Sequence, residues 1–553
     1  MKPKVLVIGI DGGTFDIINP LINKGSLPNL KRLIENGSSG ILQSTIPPVS
    51  PAAWSTFITG QNPGSHGIYN FFDIWPNTYK LRILNASMRK GKSFWKYAEE
   101  AGKRVCLINV PFTFPPEKVN GVVIAGMDTP SYDSDFMYPK ELKDEIERHV
   151  GKYRVDTHIS DIQGYESMEE HKLLDIFKKH VFEQIDIHAR TALYLIKKEE
   201  WDIFTVVFTS TDRAQHHYWK FYKNGKDALS KVIPHVYEKI DGYIGEITKA
   251  SGPGTNVVIM SDHGGGPIER VVVLNNWLSE RGYLTTQTTS INHNLKIGIY
   301  RMVKKLFPKN IKKKLKKAFP EMKSKLSSFL ILSGINWGAT KAVAEGFYGS
   351  IYINTIGERP LGIVNAEDYD SVCDKIINEL KGLVDPKTGA SPIRDIYKKK
   401  DIYFGSSINS APDIIIQPAS GYQFVGDFVK LQHSGSLKGQ EVFVDTIKTR
   451  VSGTHTPEGI LIMHGDSIKK REKTVGAEIG DLPVTILGLL GIPIPGNMSG
   501  RFLKDILNTP SEVKYTADKE VNKKAADLQD MRVYTKEEEE AITKQLRNLG
   551  YID

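Results

Sequence analysis

The sequence predicts an α/β fold, a mostly parallel central sheet with helices on both faces. Three observations carry that prediction. Six short runs, "KVLVIGID" (4–11), "RVCLINV" (104–110), "GVVIAGMD" (121–128), "DIFTVVFTSTD" (202–212), "NVVIMSDHG" (256–264) and "GILIMHG" (459–465), are nearly continuous in apolar residues. That is the pattern of strands buried on both faces, not of a sheet with one wet side. Helical periodicities separate the runs, as in "LPNLKRLIENG" (27–37) and "HVYEKIDGYIGEITKASG" (235–252), so successive strands can run parallel through crossover helices. Three of the runs end in or beside an aspartate that matters for the chemistry below, Asp11, Asp212 and Asp262, and ligands collect outside the carboxyl ends of such strands.

A chain of 553 residues exceeds one ordinary domain. Residues 1–280 read as the first part of the α/β core, with a helical, charged stretch over about 130–200, and 281–345 as a basic helical insert or cap. Residues 346–508, with "YGSIYIN" and "PDIIIQPA", read as the second part of the core, and 509–553 as a charged extension ending in a helix. The net charge of +9 is local. The segment from Lys296 to Leu326 holds twelve Lys or Arg and one acid, Glu321, which leaves the remaining chain close to neutral. In that segment Ile311, Leu315, Ala318, Phe319, Met322 and Leu326 follow helical spacing, and Pro320 should kink the helix. It reads as a cap first, and as a peripheral contact with anionic lipid through 296–326 second. No groove-reading motif accompanies the charge, so nucleic acid is not expected as a specific partner. Two cysteines, Cys106 and Cys373, cannot form a disulfide framework. With no apolar run approaching the roughly 20 residues of a membrane span, the expected location is the cytoplasm.

Chemistry concentrates at the strand ends. In "PPVSPAAWSTFITG" (47–60), Ser50 stands ahead of a helical pattern with Pro51 at the first helical position, the arrangement of an N-cap. A helix N-terminus also stabilises an alkoxide or a bound phosphate, so capping and catalysis can share the position. "STDRAQHH" sets His216 four residues after Asp212, one helical turn if a helix follows a strand ending there. "MSDHGGG" places Asp262 beside His263 on a glycine-rich turn, and "SGTHTPEG" puts His455 in a loop. Carboxylate and imidazole without a thiolate suit Zn²⁺, Mn²⁺ or Fe.

"IGIDGGTFD", "PPVSPAAWSTFITGQNPGSHGI", "TDRAQH", "SDHGGG" and "GTHTPEG" follow one another in this order. The order resembles that of the alkaline phosphatase superfamily, most closely its type I phosphodiesterase and nucleotide pyrophosphatase branch with the prokaryotic phosphohydrolases and phosphomutases. The resemblance covers roughly residues 1–275 and 345–505 and implies an alkaline-phosphatase-like fold. It implies two divalent cations, Zn²⁺ first and Mn²⁺ or Fe as alternatives. Asp11, Asp262 and His263 match the ligands of one, with Ser50 as the nucleophile touching it, and Asp212, His216 and His455 match those of the other. Gln215 stands where the family has glycine, and the following Gly-Pro is missing. Asn70 falls near the place of a phosphate-binding asparagine, one residue early. Lys341, in "INWGATKAVAEG", stands before the resumed core strand and is either a second substrate contact reaching a phosphate or a solvated lysine. Tyr69, Phe71, Phe72 and Trp75 of "YNFFDIW" are either core or a stacking surface for a base or sugar. The resemblance implies a metal-dependent phosphohydrolase that cleaves a phosphodiester or pyrophosphate bond through phospho-Ser50, on a small phosphorylated substrate such as a nucleotide or sugar-nucleotide. A phosphomutase is the enzymatic alternative, and a non-catalytic membrane-surface protein on this fold is the other.

Overall fold

The computed structural model describes residues 3–74, 78–79, 81–286, 334–426, 441–445, 451–509, 512–517 and 534–548. All six apolar runs form strands of one sheet. Its order is Glu472–Lys473, Ser38–Gln43, Glu458–His464, Thr255–Met260, Lys4–Ile10, Ile203–Phe208, Val105–Val110, Gly121–Ala125, Met137–Tyr138, with Ala477–Glu478 also on Ser38–Gln43. The five strands from Thr255–Met260 to Gly121–Ala125 are mutually parallel, whereas Glu458–His464 runs antiparallel to both its neighbours.

Alternation explains why the strands read as continuous apolar runs. Leu6, Ile8 and Ile10 enter one core together with Phe177, Val181 and Ile185 of the helix Glu170–Lys198 and Val236, Ile240 and Ile244 of Val232–Ala250. Val5 and Val7 enter the opposite core, against Trp54 and Phe57 of the helix Ser50–Thr59 and Leu482 and Ile486 of Asp481–Leu489. Side chains point to opposite faces in turn, and here both faces are dry.

A second sheet has its own core. Ala342–Glu345, Ser350–Ile353, Ile414–Pro418 and Ile393–Lys398 pair antiparallel in that order, backed by Cys373, Ile376 and Leu380 of the helix Tyr369–Lys381. The long strand Gly264–Val273 links the two. It starts against Gly453–Thr456 and ends between Gly421–Val425 and Phe443–Asp445. Tyr534, ahead of the helix Lys536–Asn548, stacks on Phe114 and donates to the Asp128 carbonyl, which fastens the C-terminal segment to the core. The basic segment 296–326 lies wholly outside the described residues, and of the expected insert 281–345 only 281–286 and 334–345 are described. Among the described residues no helix is long and apolar enough to cross a membrane.

Candidate active site

Asp11 follows the central strand directly. Its N–H donates to the Phe208 carbonyl at 3.1 Å, and its own carbonyl accepts from the Thr211 hydroxyl. Asp262 and His263 form the turn between Thr255–Met260 and Gly264–Val273. The Ser261 hydroxyl there accepts from the Gly13 N–H at 2.7 Å and donates to the His263 carbonyl. The strand before Asp212 ends at Phe208, earlier than the motif suggests, and the helix Ser210–Asn224 has already begun. Asp212 and His216 therefore lie one turn apart on a single helix face. His455 sits on Gly453–Thr456, in register with Gly265 across the antiparallel pair.

These residues, distant in sequence, form two adjoining clusters. In one, His263 Nε2 lies 3.3 Å from Asp262 Oδ2 and 3.6 Å from Asp11 Oδ1. In the other, Asp212 Oδ1 lies 3.2 Å from His216 Nε2 and 3.4 Å from His455 Nε2, and the two histidine Nε2 atoms are 3.1 Å apart. The His263 and His455 rings stack with centroids 3.5 Å apart, which makes the clusters one site. All six side chains are buried, and within each cluster the ligand atoms lie within 4.8 Å of one another.

The outer nitrogens fix the proton positions. His216 Nδ1 meets the Gly453 carbonyl at 2.8 Å, His263 Nδ1 the Gly264 carbonyl at 2.9 Å, and His455 Nδ1 the Pro48 carbonyl at 2.9 Å. A carbonyl only accepts, so each Nδ1 carries the hydrogen and each Nε2 presents a lone pair to the interior. Two such lone pairs facing at 3.1 Å repel unless a cation stands between them. The carboxylates pose the same question. Burial first, then the charges of Asp262 and Asp212, push Asp11 well above the carboxylate range, and its Oδ1 finds no hydrogen-bond donor. Asp262 is pushed up to about 7, chiefly by burial. Burial would raise Asp212 too, but protons on the facing His216 and His455 Nε2 atoms hold it well below its ordinary value, and a cation in place of those protons would act on it in the same sense. Desolvation lowers both His263 and His455 to about 4, so both rings are neutral near pH 7. Imidazole nitrogens and buried carboxylates converging on one space, with Asp11 Oδ1 and both Asp262 oxygens lacking a donor, fit a pair of divalent cations.

Ser50 differs from the cap the sequence suggests. Val49, extended at φ −114° and ψ 132°, is the N-cap, and Ser50 is the first helical residue. Its hydroxyl serves no cap and lies 3.3 Å from His263 Nε2. The Pro48 carbonyl that binds His455 thus also anchors the chain two residues before Ser50.

Gln215, at the position of a family glycine, donates through Nε2 to the Gly12 carbonyl at 2.7 Å and ties the helix to the Asp11 turn. Gly265 makes room for it, since a Cβ there would lie 2.0 Å from Gln215 Oε1. Asn70 Oδ1 accepts from the Phe71 N–H, and its Nδ2 lies beside Gly346. Lys341 is exposed, with its backbone bonded to Tyr283 and Asn354. Neither is brought to the six clustered residues by any hydrogen bond. Tyr69, Phe71 and Phe72 are buried, the core alternative for that stretch, and Trp75 lies outside the described residues. Three neighbours escaped the sequence reading. Tyr348 reaches His455 Nδ1 with its hydroxyl at 2.9 Å, and Arg213 is clamped between Asp212 and Asp156. Tyr348 and Asp156 belong to no motif that spacing would flag, and Arg213 stands inside "TDRAQH" with nothing in the spacing to mark its role.

A family model for type I phosphodiesterase / nucleotide pyrophosphatase matches residues 5–436. The chain belongs to that family. It is a phosphoric ester hydrolase of the alkaline phosphatase superfamily, whose members typically depend on divalent metal. Among solved structures, phosphonoacetate hydrolase from Sinorhizobium meliloti 1021 in complex with phosphonoformate is similar over 88% of this chain and 96% of that one, at 14% identity and a TM-score of 0.52. An inactive murine ectonucleotide pyrophosphatase / phosphodiesterase 5 in complex with AMP covers 92% of this chain and 100% of its own, at 13% identity and a TM-score of 0.49. The first of these supports the fold. No curated protein matches the chain in sequence.

Proposed function

We propose that this member cleaves a phosphodiester or pyrophosphate bond in a small phosphorylated substrate, with Ser50 as the nucleophile. Asp11, Asp262 and His263, with Ser50 beside them, would hold one divalent cation, and Asp212, His216 and His455 the other. The observation that carries this is the convergence of three Nε2 lone pairs and three buried carboxylates beside a serine hydroxyl free of its capping role. Bound cations would lower the hydroxyl pKa, screen the phosphoryl oxygens and stabilise the leaving oxygen.

The chain's own residues do the rest. Ser50 stands on the first turn of a buried helix, where the N-terminal partial positive charge favours an oxyanion and an incoming phosphoryl group. Its Oγ forms a bond to phosphorus as the bond to the leaving oxygen breaks, giving phospho-Ser50. Water then attacks phosphorus and frees the hydroxyl.

Metal analysis and hydrolysis of paired chromogenic monoester and diester substrates test this, with Ser50→Ala alongside. Expected are two transition-metal ions per chain and diester turnover that falls by at least about a thousandfold in Ser50→Ala, with the metals retained. Undiminished turnover in that variant overturns the nucleophile.

A further inference from the structure

Asp212 divides its two oxygens. Oδ1 faces His216 and His455, while Oδ2 is taken by Arg213 Nη1 at 2.6 Å. Arg213 is almost wholly buried, and its other edge is gripped by Asp156, through Nη2 at 2.6 Å and Nε at 3.2 Å to both carboxylate oxygens. Asp156 is itself held. Its Oδ1 accepts from the Thr157 N–H at 2.8 Å, from Gln184 Nε2 at 3.3 Å and from the Thr209 hydroxyl at 3.4 Å. Gln184 lies on the helix Glu170–Lys198 and Thr209 at the end of the Ile203–Phe208 strand.

We infer that Arg213 and Asp156 are positioning residues that confine Asp212 to a single oxygen for the cation shared with His216 and His455. The inference rests on the reading that these three residues hold a cation. A planar guanidinium has two donor edges, and here one meets each carboxylate. The orientation of Asp212 is thereby set from outside the cluster, by a residue of the stretch between 130 and 200. Charge supports the same assignment. Arg213 alone would cancel the negative charge of Asp212 and weaken its hold on a cation. Asp156 restores it, so the three groups together carry one net negative charge, as Asp212 would by itself. A buried pair of this kind is a poor source of stability for its own sake. Its geometry is that of an outer partner orienting a metal-binding carboxylate.

The test is calorimetric titration of the metal-free full chain with Mn²⁺. Asp156→Asn keeps the shape, removes one charge and turns an amide group against Arg213. It is expected to weaken one of two binding events by about 10-fold to 100-fold and leave the other within about twofold. Asp156→Glu restores the charge and is expected to recover most of the loss. In turnover assays at saturating metal, kcat falls with KM unchanged. Both events at wild-type strength in folded Asp156→Asn overturn the inference. If that variant does not fold, Arg213→Lys decides on the same readings, because a lysine cannot bridge both carboxylates with a fork. Wild-type protein that binds no Mn²⁺ defeats the underlying reading instead, a result distinct from two unchanged binding events.

Discussion

The two halves of the site hold their charge differently. Around Ser50, Asp11 and Asp262 sit in a buried space with little to neutralise them, and both are pushed toward the protonated form. Across the stacked His263 and His455 rings, Asp212 is already ionised, faced by two imidazoles and tied outward to Arg213. One half is a strained cluster that needs a cation to ionise fully; the other is preformed. The half that carries the nucleophile should therefore respond more sharply to every perturbation of charge.

The largest expected effect is on turnover. Asp262→Asn removes an acid from the Ser50 half and should cut kcat on the order of 10³-fold, with loss of one metal equivalent. His216→Ala in the other half should cost on the order of 10²-fold. Steady-state kinetics with metal analysis of both variants checks the order. Equal losses, or the reverse ranking, would break the asymmetry between the halves.

Protons give the next test. Asp262 titrates near 7 in the folded protein against an ordinary 3.8. Cation binding there must displace a proton from Asp262 below pH 7, so affinity should fall at least about tenfold per unit from pH 7 to 6, and more steeply where Asp11, also raised, gives up a proton. In the other half Asp212 stays ionised and His455, lowered to about 4, stays neutral, so these two groups give no such fall. Titrations at pH 6 and 8 read the difference directly. The metal-free protein reports the same group through stability. A folded value above the unfolded one means that the stabilisation belongs to the protonated acid, complete below about 3.8 and lost as pH rises through about 7. Metal-free wild type should therefore lose Tm relative to metal-free Asp262→Asn as pH rises from 6 to 8. A constant difference would place the titration elsewhere.

How much of this asymmetry the sequence shows follows from physics. The six clustered residues were legible because each sits at a strand end or in a short motif, where residue type and spacing are local. The strand Ser38–Gln43 was missed because "SSGILQ" is half small and polar and only partly buried. Ser50 was read as a cap because the flanking prolines and the hydroxyl all fit one, and only the fold shows Val49 in that place. Arg213 was visible as a letter of "TDRAQH", but its partner Asp156 is 57 residues away. Tyr348 is 107 residues from His455. Such pairings exist only once the chain is folded, and they are what distinguishes the halves.

The smallest predicted effect falls on that last contact. His455 Nδ1 has two neighbours at 2.9 Å, the Pro48 carbonyl and the Tyr348 hydroxyl. The carbonyl can only accept and the hydroxyl can do either, so the one arrangement that serves both keeps the hydrogen on Nδ1. Tyr348→Phe removes the hydroxyl but leaves the carbonyl, and with it the tautomer and the inward lone pair on Nε2. Metal affinity should fall only a few-fold, in the Asp212 half alone, with the pH dependence of the Ser50 half unaltered. A loss as large as that of His216→Ala would mean that Tyr348, and not the Pro48 carbonyl, sets the ring. The preformed half would then owe its order to the second sheet, which carries Tyr348 on the turn before Ser350–Ile353.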